Sequence, residues 1–355
     1  MTQTPRAEGF QRIAPQEELL EEVNRLLGTA EEAATAGQPS TPQLPMLFIV
    51  GAPRSGTTLF LQWLAASKEF GYPSNLIARF FRAPYTGALI QRLLTDPELD
   101  YRNELVDARG YGDAWSSEVG KTRGMLQPHE FFYFWRRFFP IDQAQKLSED
   151  ALAKADPAGF AAGWASLERA LKKPLAAKGI LLQYDIDRLA EWLPRAIFIH
   201  TKRDVFFNVQ SLLEARVKVT GSRDAWFSVQ PPEYEWLQHE DGYTQVAGQV
   251  IFSNRAIASA LARLPNTRSV LVEYEDFCTH PAATWDRLRE AMSAFDYDLP
   301  QYEGPASFSA TNAIRCDAAE ADLIRSVYQK LLEMIEDERG TSPPRFPTEL
   351  PPAQA

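Results

Sequence analysis

The segment Gly51-Ala52-Pro53-Arg54-Ser55-Gly56-Thr57-Thr58-Leu59 constrains this chain more than any other, because it joins an apolar run to a helical stretch through two glycines. Met46 to Val50 is continuously apolar and stops at Gly51, as a strand buried in a parallel sheet does. Residues 57–67 read as helix. At such a junction backbone N–H groups and the positive end of the helix dipole converge on one point, so the geometry predicts a bound phosphate or similar anion.

The unit recurs in looser form. Residues 179–182 and 196–201 are predicted strands, Asp204 can cap a helix running to about residue 217, and residues 270–274 form a further strand before a helix over 282–292. Strands alternating with helices predict an α/β fold with a central parallel β-sheet flanked by helices. Residues 83–175, and residues 221–242 with their Trp, Tyr, Pro and acids, break the rhythm and read as helical insertions on the acceptor side. Residues 1–45 read as an acidic helical extension with a linker, 46–340 as the main domain and 341–355 as a Pro-rich disordered tail. Asp317 and Glu320 have capping-box spacing ahead of the last helix, which runs to about residue 338.

A formal net charge of −10 speaks against a general nucleic-acid binder, so an anionic ligand must meet a local cationic pocket. No run approaches the roughly 18 apolar residues a membrane span needs, and residues 1–9 lack the pattern of a secretory signal. Cys278 and Cys316 have no CxxC spacing, which points to a reducing, cytoplasmic setting without a disulfide framework, and no ligand pattern for a metal is present. The sequence leaves a homo-oligomer open.

A nucleoside-triphosphate loop reads GxxxxGK[ST], yet Thr57 follows Gly56 here, so the lysine that reaches the β- and γ-phosphates is missing. A cation stands inside the loop instead, at Arg54. In a second strand-to-helix junction Arg203 falls at the strand end and Ser211 two helical turns on, where both can reach one phosphate; a capping charge with a surface serine is the plainer alternative. With these residues the chain resembles the sulfotransferases that use 3′-phosphoadenosine 5′-phosphosulfate (PAPS), whose 5′-phosphosulfate loop reads much like PRSGTTL. The resemblance, spanning roughly residues 46–295, implies a P-loop-like nucleotide fold in which Arg54, Ser55, Gly56, Thr57 and Thr58 hold the 5′-phosphosulfate. Arg203 and Ser211 occupy the family's positions for the 3′-phosphate, and Tyr274, in a strand ending Tyr274-Glu275-Asp276, either lies near the adenine or fills the core. The family's C-terminal phosphate loop is not legible; Asn312 and Arg315 are its replacement candidates.

Sulfuryl transfer needs a base for the acceptor hydroxyl and cations for the charge that grows on the leaving phosphate. Arg54 suits the second role. Lys178, 25 residues before Arg203, falls where the resemblance implies a catalytic lysine, although a surface lysine ahead of a strand reads equally well. The family's histidine two residues after that lysine is Ile180 here, and the Tyr72-Pro73-Ser74-Asn75 segment lacks the carboxylate used by PRSGTTL-type members. The base is therefore sought at His129 or Glu130, in an aromatic setting that can tune the pair, with Glu118 and Lys121 as further candidates. The other expectation is a polar pair opening a core helix. PAPS as co-substrate and a hydroxyl acceptor, a carbohydrate or glycan precursor that the aromatic residues of 129–139 and 226–243 would stack against, complete the expectation. A P-loop small-molecule kinase and a non-catalytic nucleotide-binding protein are the competing readings.

Overall fold

A computed structural model describes residues 6–339, apart from residues 8, 101, 103, 105–114 and 116. The tail expected over 341–355 lies outside the described residues. Four parallel strands make the main sheet: β1 (Met46–Val50), β4 (Leu175–Lys178), β5 (Ala196–Lys202) and β6 (Ser269–Glu273), in the order β4-β1-β5-β6. Two further strands, β2 (Ser117–Glu118) and β3 (Lys121–Thr122), form a separate antiparallel hairpin. From β1 the chain moves to β4 on one side and returns to β5 on the other, so the strand order reverses at the carboxyl end of β1. Ligands of open α/β sheets bind at such a reversal.

Strand periodicity assigns the two faces of β1 to different layers. Met46, Phe48 and Val50 meet Phe134, Trp135, Phe160 and Trp164, carried by α4 (Phe132–Arg136) and α6 (Pro157–Leu171). Leu47 and Ile49 face Phe60 and Trp63 of α2 (Thr57–Ala66), with Phe277 of α11 (Tyr274–Thr279) and Trp285 of α12 (Pro281–Ser293). A third cluster packs α8 (Val205–Thr220), α10 (Gly242–Leu261) and α13 (Ala318–Arg339) together. The remaining helices are α1 (Ala14–Thr35), α3 (Pro84–Thr95), α5 (Glu149–Ala153), α7 (Ile186–Trp192) and α9 (Tyr234–Leu237). Between α2 and β4 the described residues form helices, turns and irregular connections apart from the β2–β3 hairpin, which is the predicted interruption.

Helix α1 is docked rather than free. Buried Asn24 donates to Arg79 O (2.7 Å) and accepts from Arg82 N (2.7 Å), while Glu31 caps α3 by accepting from Tyr85 N (2.7 Å) and Thr86 N (3.0 Å). Asp204 and Asp317 cap as expected, accepting from Phe207 N (3.2 Å) and Glu320 N (2.8 Å). Among the described residues no helix is long and apolar enough to cross a membrane.

Two predicted strands are displaced. Residues 175–178 pair with β1, and the apolar run after them, Ile180–Leu182, is a buried 3-10 turn. A short apolar run reports burial without distinguishing strand from turn, and Ala176 and Ala177 conceal the true strand because alanine favours helix. Lys178 therefore ends β4 instead of preceding it. Likewise Tyr274 opens α11 rather than closing β6. The aromatic run at 131–139 is spent on the core: Phe131, Phe134, Trp135 and Phe139 are buried, which removes them from any stacking surface.

Candidate active site

The loop after β1 is held in a tight arch. At Gly51 a Cβ would stand 2.5 Å from Thr201 O, so only glycine lets β1 and β5 close on each other. Gly56 has φ +95°, and a Cβ there would meet Tyr274 Cδ2 at 2.5 Å. Arg54 adopts φ 70°, a left-handed conformation that costs a non-glycine residue about 1 kcal/mol or more. Ser55 is fully buried and its Oγ bonds Thr201 Oγ1 (2.9 Å), so this hydroxyl locks the loop to β5 instead of pointing out of it. Asn208 of α8 donates to Pro53 O (2.6 Å) from the other side. Thr57 is buried in the first turn of α2, and among the described residues no side chain caps that turn, which leaves its N–H groups for an anion.

At the carboxyl end of β4, Lys178 is almost wholly buried. Its Nζ donates to Thr58 Oγ1 (2.8 Å) and to Glu130 Oε1 (3.0 Å), joining three residues that sequence reasoning had placed separately. Glu130 follows directly on a stretch that pairs with the segment lacking a carboxylate. The Tyr72–Asn75 segment pairs with 127–129 through Asn75 N to Gln127 O (2.8 Å) and His129 N to Pro73 O (2.7 Å), so a neighbouring segment brings a carboxylate to the same place. The His129 ring is engaged by its own loop. Its Nδ1 accepts from Phe131 N (2.9 Å), which puts the proton of the neutral ring on Nε2. Burial, with Arg79, Lys178 and Lys121 adding repulsion against the pull of Glu130, pushes its pKa down to about 4.

The residues predicted for a second anion site gather at the start of α8. Arg203 donates through Nε and Nη2 to Asn312 Oδ1 (2.9 and 2.7 Å), through Nη2 to Thr311 O (2.9 Å) and through Nη1 to Arg54 O (3.3 Å). Its guanidinium sits 5.0 Å from the Tyr274 ring centre, and Tyr274 bonds Thr311 Oγ1 (3.2 Å) through its hydroxyl. Tyr274 is thus buried between the loop, Arg203 and the 311–315 segment. Ser211 Oγ accepts from Arg54 Nε (3.3 Å), linking the two predicted anion sites directly. Burial, then the nearby Arg203, lower the Arg54 pKa against the pull of Glu214 and Glu130, and two guanidinium groups stand where the helix dipole favours an anion.

Asn312 and Arg315, the sequence candidates for the C-terminal phosphate loop, do lie beside Arg203, but sequence reasoning missed the residues that hold them there. Gln210 and Glu214, four residues apart on α8, hold the 311–315 segment: Gln210 Nε2 donates to Ala313 O (2.9 Å), and Arg315 makes paired 2.8 Å bonds to Glu214. Their i, i+4 spacing was the available signal. A cavity of about 500 Å³ opens between Arg54, α8 and the β2–β3 hairpin, within the range of small-molecule sites. Glu118 belongs to its wall. The hairpin tip places Gly120 over Thr58, Glu130 and Lys178, and Lys121 lies beyond it with its Nζ 5.6 Å from the Phe10 ring centre.

A protein-family model described as the sulfotransferase family matches residues 45–294. No curated protein matches the sequence. Among solved structures, the chain is similar to sulfotransferase STF9 from Mycobacterium avium, with a TM-score of 0.54 and 14% identity over 94% of this chain and 87% of that one. It is also similar to sulfotransferase STF1 from Mycobacterium tuberculosis H37Rv, with a TM-score of 0.48 and 16% identity over 87% of this chain and 82% of that one.

Proposed function

The chain belongs to the sulfotransferase family, and on that premise we propose that it moves the sulfuryl group of PAPS onto an acceptor hydroxyl, with Glu130 as the base. The observation that carries this reading is Lys178 Nζ bonded at once to Thr58 Oγ1 (2.8 Å) and Glu130 Oε1 (3.0 Å), which fixes a carboxylate at the mouth of the phosphate loop. The chain supplies what such a donor needs: open N–H groups at the start of α2, Arg54 within the loop, and Arg203 with Ser211 on the far side for a separate 3′-phosphate. When bound, the donor provides a sulfuryl group on a phosphate leaving group. Lys178 holds Glu130 Oε1, which leaves Oε2 to take the acceptor's proton as its oxygen attacks sulfur. Arg54, the loop amides and Lys178 stabilise the charge that builds on the phosphate side.

His129 then serves as a fixed N–H donor beside the base. The proposed acceptor is a hydroxyl of a carbohydrate or glycan precursor, recognised by polar groups such as His129 Nε2 and Lys121 now that Phe131, Phe134, Trp135 and Phe139 belong to the core. A cytoplasmic setting is part of the same proposal, supported by two unpaired cysteines, Cys278 and Cys316. Calorimetric titration with 3′-phosphoadenosine 5′-phosphate beside ADP, followed by transfer assays over an acceptor panel, tests the reading. Preference for the bisphosphate together with transfer is the expected result. Tighter binding of ATP with magnesium would favour a kinase, and bisphosphate binding without transfer to any acceptor would favour a non-catalytic nucleotide-binding protein.

A further inference from the structure

The cavity that holds Arg54 and Ser211 contains two more cations that the loop motifs do not announce. Arg123 follows β3, and Lys218 stands on α8. Lys218 is seven residues after Ser211 and so shares its helix face, and side chains on a helix lean toward its N-terminus, here toward Ser211. One carboxylate holds both cations, one oxygen each: Glu118 Oε1 lies 2.7 Å from Lys218 Nζ, and Oε2 lies 3.0 Å from Arg123 Nη2. The other acid of the cavity, Glu214, is committed to Arg315. A carboxylate spread between two cations is the arrangement a phosphate group takes in the same place.

We propose that Arg123 and Lys218 extend the 3′-phosphate site beyond Ser211, and that Glu118 neutralises them until the 3′-phosphate of the bound nucleotide replaces its carboxylate. The inference rests on the nucleotide-donor reading above. Exchange is physically cheap, because all three side chains are substantially exposed and the hairpin has only two residues in each strand. Lys218 and Arg123 lower the Glu118 pKa, so its carboxylate stays charged at neutral pH and opposes an arriving polyanion until it is displaced. The same hairpin covers Thr58, Lys178 and Glu130 with Gly120, so capture of the phosphate by Arg123 draws the hairpin over the reacting groups.

The test is calorimetric titration of the full chain with 3′-phosphoadenosine 5′-phosphate and, separately, with pyrophosphate, at low salt, on the wild type, Glu118→Gln, Lys218→Met and Arg123→Met. The subsite predicts opposite signs: Glu118→Gln binds several-fold tighter, whereas Lys218→Met and Arg123→Met each bind about tenfold more weakly. A purely structural salt bridge predicts the same sign for all three, since each change breaks it. If the wild type takes the nucleotide and the variants shift together or not at all, the subsite is wrong and the donor reading stands. Opposite signs with pyrophosphate, but no wild-type uptake of the nucleotide, leave an anion site and sink its assignment to the donor. Uptake of neither ligand overturns both.

Discussion

Lys178 Nζ stands 3.0 Å from Glu130 Oε1, although 48 residues separate the two in the chain. The lysine side chain is 3% exposed and the carboxylate 26%, so the pair is an ion pair at the edge of the core rather than a surface contact. The glutamate is the more exposed partner. A carboxylate held at one oxygen and partly exposed suits proton acceptance, and Lys178, through Thr58, ties it to the start of α2.

Glu130→Gln removes the proposed base and keeps the shape. Turnover should fall by about a hundredfold or more, the usual contribution of a positioned base, while nucleotide affinity changes little. His129→Ala should retain far more activity, because its Nδ1 is occupied by Phe131 N. Steady-state kinetics on the two variants decide it. Equal losses would return the base to the histidine.

The same pair predicts non-additive stability. Glu130→Gln leaves a buried lysine without its counter-ion, and losses of about 3 kcal/mol are typical for one half of such a pair, less here because Glu130 is partly exposed and Thr58 still accepts from the lysine. Lys178→Met together with Glu130→Gln should cost less than the sum of the single changes. Urea unfolding of all three variants measures the coupling.

Arg203→Ala should weaken binding of 3′-phosphoadenosine 5′-phosphate by about tenfold to a hundredfold, the worth of charge-assisted hydrogen bonds, with little effect on ADP. Today the Arg203 fork is filled by Asn312 Oδ1 at 2.9 and 2.7 Å. A phosphate there must displace this amide, so Asn312→Ala should bind the nucleotide at least as well as the wild type. Calorimetry reads both effects.

Much of this architecture was legible because it is local. The Met46–Val50 strand, its glycine loop and α2 are one contiguous stretch whose apolar run, glycines and hydroxyls each signal the same junction, and the Arg203 to Ser211 spacing follows from helical pitch. What escaped was non-local or chemically mute. Ala176 and Ala177 carry no strand signal, so Lys178 fell on the wrong side of its strand. The pairing of Tyr72–Asn75 with 127–129, which brings Glu130 to the loop, depends on hydrogen bonds between segments some 50 residues apart. Residues 311–315 have no motif, and their place beside Arg203 is fixed by Gln210 and Glu214 on another helix. The aromatic run at 131–139 showed that burial was intended without showing that it served the core.

Gly56 has a testable steric role. With φ +95° and a Cβ that would lie 2.5 Å from the Tyr274 ring, Gly56→Ala must strain the loop or push the tyrosine away. A loss on the order of 2 kcal/mol is expected, together with weaker nucleotide binding, since Tyr274 also braces Arg203 and Thr311. Gly120, also at positive φ but with only ordinary contact distances around its would-be Cβ, should suffer less on the same change. Thermal unfolding of the two alanine variants compares them.

Buried titrating groups set the acid limit. His129 and His200 both have pKa values pushed down to about 4 by burial, against about 6.5 when unfolded. Between those values the unfolded chain binds more protons than the folded one, so stability is lost as pH falls from 6.5 toward 4, by up to about 3 kcal/mol for each histidine. Asp185 works the other way. Burial raises its pKa from 3.8 to about 6, so the folded state takes up the proton first and stability is regained as pH falls from 6 toward 3.8. Two histidines against one aspartate leave a net loss, which urea unfolding at pH 7 and pH 5 should show as a lower midpoint in acid. Asp185→Asn, which removes the compensating proton, should steepen that loss, and a midpoint insensitive to this change would mean that Asp185 does not titrate in the window.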